Sequence, residues 1–322
     1  MHASSTHSML RPLAAFTAAA VALGAGADTI TVCPDGSCDF TDPIAAVDAA
    51  VSGDVVEIAA GVYPLASTML LYGKNLTIRG SVDADGRPAT VLDGQGARTV
   101  FSAVSTIEQS RLENLVLANG RADYGGGVFL SGVDLVFQNC HLRDNVANWQ
   151  GGAIFLSGST APTLIDCRIT GNSSGNSAFP GSGRGGAVSV GNGTLTLVGC
   201  SVSGNSADSH GGALLLTSSS TVVLESTRVC GNMAPTSPQI HLNAGGGTVD
   251  ERTGACISDD CGDCPACPAD LTGDGVVGAP DLATMLVAWG GCGKACPSDL
   301  DGDGMVGAAD LTILLSSWGI CD

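Results

Sequence analysis

Lysine and arginine are scarce in this sequence, which has 13 of them against 31 aspartates and glutamates, for a net charge of −18. A chain this acidic repels polyphosphates, which excludes nucleic acid as a partner. Charged residues of both signs make up only 14% of the chain and mean hydropathy is positive, which excludes a disordered acidic tail. Aromatic residues are also few, whereas glycine is abundant, as is typical of a β-rich fold with many tight turns.

Long apolar runs are missing except at the N-terminus, where residues 13–23 follow Arg11 and precede a small "AGA". This run is too short to cross a bilayer, and its flanks predict an export signal (residues 1–27) cleaved near Ala27. The alternative is a buried N-terminal helix. We therefore expect a secreted or cell-surface protein with no transmembrane span. In that compartment its 13 cysteines can form disulfides, and Cys33 and Cys38 bracket a turn that brings them together.

The centre of the chain is repetitive. Four segments such as "QGGAIFLSGSTAPTLIDCRITGN" end at Asn145, Asn172, Asn205 and Asn232, and the longest interval holds a Gly/Ser-rich insert, "SSGNSAFPGSGR". Short runs that alternate apolar and polar residues indicate strands. A unit of this size cannot bury its own apolar face, so stacking into a solenoid is expected. Coils about 4.8 Å apart over residues 28–250 predict a rod roughly 40 Å long.

Two columns of repeated residues follow from that stacking. Asn119 and the four closing asparagines are predicted to stack at one turn, with side-chain amides bonded from coil to coil. Cys140, Cys167 and Cys200 are predicted to form one inward column of small buried side chains.

The repeats resemble right-handed parallel β-helix proteins of the pectate-lyase-like superfamily, and their GGA signature is similar to the repeats of polymorphic outer-membrane proteins. Residues 30–64 resemble the first coil of such proteins, pectin methylesterases among them. The resemblance implies a mainly β fold, a right-handed parallel β-helix solenoid with a short N-terminal cap helix at residues 43–51. Thr41 is the expected N-cap of that helix.

Relatives of this fold cut or de-esterify acidic polysaccharides, so we searched for catalytic groups. A hydrolase needs paired carboxylates. The Asn-Thr-Asp and Gly-His-Gly signatures of polygalacturonases are absent, and no other catalytic motif is found. The catalytic candidates that remain are Asp166, Arg168 and His141. Candidates for substrate binding, just before the GG pairs, are Tyr124, Trp149, Arg184 and His210. The alternative is that all of these are solvated turn residues.

A cysteine-rich linker at residues 251–266 follows the repeats. Cys256, Cys261, Cys264 and Cys267 have spacings that suit either a zinc site or disulfides, and an exported chain favours disulfides. Their connectivity stays open.

Residues 267–322 contain two copies of an acidic loop, "DLTGDGVVGAPDL" and "DLDGDGMVGAADL", 29 residues apart. Oxygen ligands at positions 1, 3, 5, 7 and 12, with glycine at 6, are the pattern of a calcium loop. The sequence therefore predicts two structural Ca²⁺ sites. Their protein ligands are Asp270, Thr272, Asp274, the Val276 carbonyl and Asp281 in the first loop, and Asp299, Asp301, Asp303, the Met305 carbonyl and Asp310 in the second.

Prolines just ahead of each loop exclude an entering helix, and an apolar stripe after each loop predicts an exiting one. We expect the two stripes to pack together around Trp289 and Trp318. This duplication resembles a type I dockerin, which implies a calcium-dependent docking module with a cohesin-like or cell-surface partner. The partner-reading positions here are the small pairs Ala279-Pro280 and Ala308-Ala309, a departure from dockerins. Further cysteines suggest fastening disulfides, Cys267 with Cys296 and Cys292 with Cys321.

Two functional hypotheses follow. The first is an exported β-helix protein that contacts carbohydrate or a surface through its rod and carries a calcium-dependent docking module. The second is a polysaccharide-active enzyme (a lyase, an esterase or a glycosidase) delivered by that module. A purely structural spacer is a third reading.

Overall fold

The computed structural model describes residues 27–104, 110–217, 219–243, 246–252, 255–263, 269–272, 276–291, 296–301 and 304–320. Between Thr29 and Ser258 the described chain winds into a mainly β solenoid of about eight turns, which confirms the predicted β-helix. Its strands pair in parallel, each with the equivalent strand of the next coil. In the described part of the chain, no helix is long and apolar enough to span a membrane.

Each coil contributes strands to three long sheets, and a short fourth sheet lies between the second and the third. Sheet I comprises β1 (Thr29–Val32), β2 (Val55–Ile58), β5 (Thr77–Gly80), β8 (Ser110–Glu113), β12 (Leu135–Gln138), β16 (Thr163–Ile165), β20 (Gly193–Val198), β24 (Ser220–Glu225) and β27 (Thr248–Glu251). Sheet II comprises β3 (Gly61–Pro64), β6 (Thr90–Asp93), β9 (Leu115–Ala118), β13 (His141–Arg143), β17 (Arg168–Thr170), β21 (Ser201–Ser203), β25 (Arg228–Cys230) and β28 (Cys256–Ser258).

Sheet III comprises β4 (Met69–Tyr72), β7 (Phe101–Val104), β11 (Val128–Ser131), β15 (Ile154–Ser157), β19 (Val188–Val190), β23 (Leu214–Leu216) and β26 (Ile240–Leu242). Sheet IV comprises β10 (Arg121–Tyr124), β14 (Val146–Gln150), β18 (Ser173–Ser174) and β22 (Ser206–Ala207). The inward side chains of sheets I to III, mostly leucine, valine and isoleucine, form one continuous core. Strand β28 extends the rod into the segment predicted as linker.

A short helix, α1 (Pro43–Ala49), packs beside the first strands. Asp42, not Thr41, is its N-cap, because the Asp42 side chain accepts the Ile44 N–H. Pro43 sits at the first helical position, where its missing N–H costs nothing. The helix buries Ala46 and Val47 and ends two residues before the predicted end.

A ladder of buried amides runs through the rod. The Nδ2 of Asn145 donates to Asn172 Oδ1 at 2.9 Å, and the same 2.9 Å bond links Asn172 to Asn205 and Asn205 to Asn232. Each oxygen also accepts a backbone N–H from the preceding coil. The prediction was wrong for Asn119, because Gly120 occupies its place in the ladder. Asn119 instead takes the left-handed corner position one residue earlier, with φ of 54°.

The cysteines behave as two classes. Cys140, Cys167 and Cys200 are free thiols buried in one column, as predicted. Cys33 pairs with Cys38, and Cys230 pairs with Cys261 just beyond the last coil. Cys256 and Cys296 are disulfide-bonded as well, so the linker residues Cys256 and Cys261 are not zinc ligands. The other predicted partners, Cys264, Cys267, Cys292 and Cys321, lie outside the described residues.

The C-terminal residues form two similar loop–helix units. A 3-10 turn (Cys261–Asp263) precedes β29 (Val276–Val277), α2 (Ala279–Val287), β30 (Gly290–Gly291), β31 (Met305–Val306), α3 (Ala308–Ser316) and β32 (Gly319–Ile320). Strand β29 pairs with β32, and β30 pairs with β31, so each unit lends its last strand to the other's loop.

The predicted core of these units was wrong in part. Trp289 and Trp318 are 47% and 49% exposed, and Leu286 and Leu315 also face solvent. The buried core is instead made by Ala269, Val277, Met285, Val306 and Leu314. Loop valines fill the space between the short helices, so the tryptophans at the helix ends are left outside.

Replacing Asn172 with alanine removes one rung of the ladder and leaves the N–H groups of Asn145 and the Leu142 carbonyl without buried partners. We expect Asn172→Ala to lower the free energy of unfolding by about 2–4 kcal/mol, measured by chemical denaturation. The control is Asn148→Ala, which loses one solvent-facing bond to Asp123 and should change stability by less than about 0.5 kcal/mol. Equal losses in both variants would contradict the role of the ladder.

Candidate functional site

The GG pairs of the repeats set the corner between sheets IV and III. Gly125, Gly151, Gly185 and Gly211 all have φ between 61° and 67°, a left-handed conformation that glycine adopts without strain. The next glycine faces backbone of the adjacent coil so closely that a Cβ would not fit. The residue before each pair therefore sits at a sharp corner and stacks with its equivalents, Tyr124 with Gln150, then Arg184 and His210.

An aromatic edge runs along this corner and the neighbouring face of sheet III. We define it as Tyr124, Phe129, Trp149, Phe155 and Phe179. The rings of Tyr124 and Phe155 have centroids 5.0 Å apart, and Phe129 stacks on Phe155 at 5.7 Å. Trp149 and Phe179 form a second pair at 5.7 Å. The structure thus brings the predicted residues Tyr124 and Trp149 to one edge, although a bulge pairs Tyr124 with Gln150 instead of Trp149.

The same edge carries nitrogen-bearing side chains. Arg184 and His210 follow the aromatic rings on successive coils, and the His210 ring lies 4.4 Å from that of His241. Burial, followed by the charges of His210 and Arg184, lowers the pKa of His241. All four predicted substrate-binding residues therefore share one edge, with rings at one end and cationic or imidazole groups at the other.

The Gly/Ser-rich insert is held onto the edge. The Asp208 carboxylate accepts the backbone N–H of Gly181 at 3.1 Å and that of Gly183. The Asn176 side chain accepts the Ala178 N–H at 2.9 Å. These bonds fix the loop that presents Phe179 to Trp149. An aromatic pair at the surface is therefore pre-formed.

Sequence reasoning missed Phe129, Phe155 and Phe179. Phe129 and Phe155 had a signal, because two of the four repeats place phenylalanine at the same outward position of the strand after the GG pair, and the two residues pair in register. Phe179 had none, because only the folded insert brings it to Trp149.

A groove of about 880 Å³ lies over sheet II and contains all three predicted catalytic residues. His141 and Arg168 are neighbours on β13 and β17, and Asp166 occupies the preceding left-handed corner with φ of 51°. The opposite wall consists of residues 276–280, Trp318 and Gly319 of the C-terminal units. We name this cavity the sheet II groove.

The groove perturbs the two titratable candidates. Burial, and then the charges of Arg143 and Arg168, lower the pKa of His141 to about 4, so its ring is neutral at pH 7. A ring nitrogen of His141 lies 2.8 Å from the Thr170 hydroxyl oxygen. Burial raises the pKa of Asp166. A raised pKa makes this carboxyl group hold a proton more readily than an ordinary aspartate does, which is the direction required of a general acid.

The predicted metal ligands partly converge. Oxygen atoms of Asp299, Asp301 and Asp310 all lie within 4.8 Å of one another. Backbone N–H groups, that of Gly307 first, keep the pKa of Asp310 below its usual value, so the group carries a negative charge. Such an all-oxygen set fits Ca²⁺.

In the first loop, Asp281 accepts the N–H groups of Thr272 and Gly278 and takes the same place at the start of α2. Asp270 and Val276 are described as well. The predicted ligands Asp274 and Asp303 lie outside the described residues.

Residues 74–251 match the family model described as right handed beta helix region, which spans more than half of the chain. No curated protein matches the sequence. Among solved structures, a pectin methylesterase from Aspergillus niger is 14% identical with a TM-score of 0.28, and the alignment covers 72% of this chain and 87% of that chain. Pectate lyase Pel9A is 12% identical with a TM-score of 0.31, and the alignment covers 78% of this chain and 84% of that chain. The function has to be argued from this chain's own residues.

The depressed pKa of His141 makes stability depend on pH. Between pH 6.5 and 4 the unfolded histidine binds a proton that the folded one does not, so folding loses stability as pH falls through this range. Relative to His141→Gln, the wild-type protein should lose up to about 3 kcal/mol between pH 7 and pH 4 in chemical denaturation. NMR of the His141 ring should show a midpoint near pH 4, and a midpoint near 6.5 would contradict the assignment.

Proposed function

The chain belongs to the right-handed β-helix family, and we propose that it is an exported protein that binds a glycan along the aromatic edge of its rod. The observation that supports this proposal most directly is the presence of two groups of aromatic rings on that edge, Tyr124 with Phe155 and Phe129, and Trp149 with Phe179. Aromatic faces stack on the C–H faces of sugar rings, and the adjacent Arg184 and His210 supply hydrogen bonds to hydroxyl or carboxylate oxygens.

The geometry of the edge suits a linear chain. Equivalent corner residues repeat once per coil, about 4.8 Å apart, close to the length of one sugar unit in an extended polysaccharide. The edge also carries the guanidinium group of Arg184, which can attract a carboxylate of an acidic polysaccharide although the protein as a whole has a net charge of −18. The pre-formed Trp149–Phe179 pair lowers the ordering cost of binding.

Export is supported by the N-terminal sequence pattern and by the disulfides Cys33–Cys38 and Cys230–Cys261. The C-terminal residues are proposed as a dockerin-like module with two Ca²⁺ sites. Asp299, Asp301 and Asp310 would hold one ion, and Asp270, Thr272, Val276 and Asp281 would contribute to the other. Bound calcium would supply structural cross-linking of each loop, in place of carboxylates that repel one another.

A second candidate function is polysaccharide-active enzyme chemistry in the sheet II groove. It is favoured by Asp166, whose pKa is raised in a groove that also holds Arg168 and a neutral His141. In this reading Asp166 moves the proton and Arg168 neutralises a substrate carboxylate.

The glycan proposal is tested by binding of the mature protein to pectins, alginates and glycosaminoglycans, measured by calorimetry. Trp149→Ala and Tyr124→Ala should each weaken binding about tenfold, the typical worth of one aromatic contact. Trp289→Ala is the matched control, because Trp289 is exposed on the C-terminal module away from the edge. Unchanged affinity in the edge variants would refute the site.

The same incubations distinguish an enzyme from a protein that only binds the polysaccharide. Unsaturated products, new reducing ends or released methanol that vanish in Asp166→Asn would establish catalysis in the groove. Binding without any product favours the first function.

Calcium titration of the mature protein by calorimetry should show two binding events. Asp301→Ala removes a ligand from the second loop and should abolish one event, whereas Asp260→Ala, which changes an exposed aspartate outside the loops, should leave both. Calcium should also raise the melting temperature of the module, because it binds only the folded loops. Absence of heat in the wild-type titration would refute the metal assignment.

A further inference from the structure

The two loop–helix units of the C-terminal module are copies of one another, so each serves as a reference for the other. Helix α2 begins after Gly278 with φ of −150°, and α3 begins after Gly307 with φ of −145°. Gly290 and Gly319, 29 residues apart, hold the same strand position with φ of 116° and 128°. Two isolated copies would expose equivalent positions equally.

Their surroundings differ. Residues 276–280 of the first copy line the sheet II groove together with Trp318 and Gly319, which belong to the second copy. In the second copy Met305, the equivalent of Val276, is 57% exposed, while Val276 is partly covered. A Cβ placed on Gly319 would lie 3.5 Å from Asp166 Oδ1, whereas a Cβ on Gly290 would meet no described atom within 4 Å. The end of the module formed by β29 and β32, one strand from each copy, therefore lies against the rod, and the equivalent end formed by β30 and β31 faces solvent.

The chain leaves the rod on the face that carries the groove. Strand β28 is the last strand of sheet II and pairs with β25. The Cys230–Cys261 disulfide and a 2.8 Å bond from Arg228 Nη2 to the Cys261 carbonyl hold the next residues there. From β28 back to β13 there are four strand steps of sheet II, about 19 Å at 4.8 Å per step. A module that follows this point reaches β13 and β17 by lying back along sheet II, and its lining of the groove places it there.

The surface under the module is suited to being covered. Asp166 projects from a corner of the coil, yet its carboxylate is buried enough for its pKa to be raised. The loop at residues 83–88 contacts the equivalent corner of the preceding coil, where Asn139 Nδ2 donates to the Gly86 carbonyl at 2.9 Å. The small side chains of Ala279 and Pro280 let the module approach closely, which the polar pairs expected in a dockerin would hinder.

We propose that the docking partner of the module's β29–β32 end is the rod of the same chain, so that the module covers the sheet II groove and calcium in the first loop holds it there. The docking itself is independent of what the rod binds, while the calcium dependence rests on the proposed function. Val276 and Asp281, two predicted calcium ligands, bracket the wall at residues 276–280. Loss of the ion would leave the carboxylates of that loop repelling one another, and the wall would move.

The consequence is controlled access to His141, Asp166 and Arg168. With the module docked, the groove is narrowed by Trp318 and Gly319. With the module released, the face of sheet II is open to a polymer.

The test compares Gly319→Asp with Gly290→Asp in the full chain. Both positions have positive φ, so the two variants share the same backbone strain, but only the first sets a carboxylate beside Asp166. In hydrogen exchange, amides of residues 83–87 and of β13 should exchange about tenfold faster in Gly319→Asp, because local cover is lost. Small-angle X-ray scattering should show a larger maximum dimension for this variant only.

A rescue variant separates release from unfolding. Asp166→Asn in the Gly319→Asp background removes the repulsion, and asparagine tolerates the φ of 51° at that corner. It should restore wild-type exchange and scattering. Failure of the rescue, or equal effects of Gly290→Asp and Gly319→Asp, would overturn docking on the rod.

Calcium dependence is tested on the wild-type chain, either with about 1 mM Ca²⁺, within the affinity range of extracellular calcium modules, or with a chelator. The chelator should reproduce the exchange and scattering of Gly319→Asp. If the chelator has no such effect, the proposal that calcium controls docking is overturned. The comparison of Gly319→Asp with Gly290→Asp still decides whether the module docks on the rod. Wild-type calorimetry without calcium heat refutes the metal assignment separately.

Discussion

Hydrogen bonding from each coil to the next is the constraint on which the rest of this molecule depends. Parallel strands satisfy the backbone along three faces, and the buried ladder from Asn145 to Asn232 satisfies it at the turn, where strands alone cannot. The ladder ends at Gln239, which accepts from Asn232 and donates to Asp259. The end of the stack therefore has no exposed rung at this turn, and the coils stay in register along the rod.

Because the coils stack in register, equivalent residues of successive coils lie next to one another on the surface. Because each coil places its GG pair above the last, the residues before those pairs form a line, and the phenylalanines of β11 and β15 form a second line beside it. Two successive coils thereby place the rings of Tyr124, Phe129 and Phe155 side by side, with centroids 5.0 and 5.7 Å apart.

The molecule divides its chemistry between two faces. The aromatic edge is open and built from rigid corners and a clamped loop. The sheet II groove holds the perturbed groups, Asp166 and His141, and the C-terminal module forms its second wall. Disulfides at both ends of the rod, Cys33–Cys38 and Cys230–Cys261, fix the segments that the ladder does not reach.

The sequence by itself determined the solenoid, the buried cysteine column and most of the ladder, because these follow from local period and from residues that repeat with it. It also located Tyr124, Arg184 and His210 on one edge, since a position shared by all repeats must become a line, and Trp149 lies one residue before that position. The sequence did not predict that Asn119 lies one residue before the ladder position. It also did not predict that Trp289 and Trp318, which follow the ends of the short helices, are exposed. Only the tertiary structure brought Phe179 to Trp149 and the module to Asp166, because those contacts join segments that share no period.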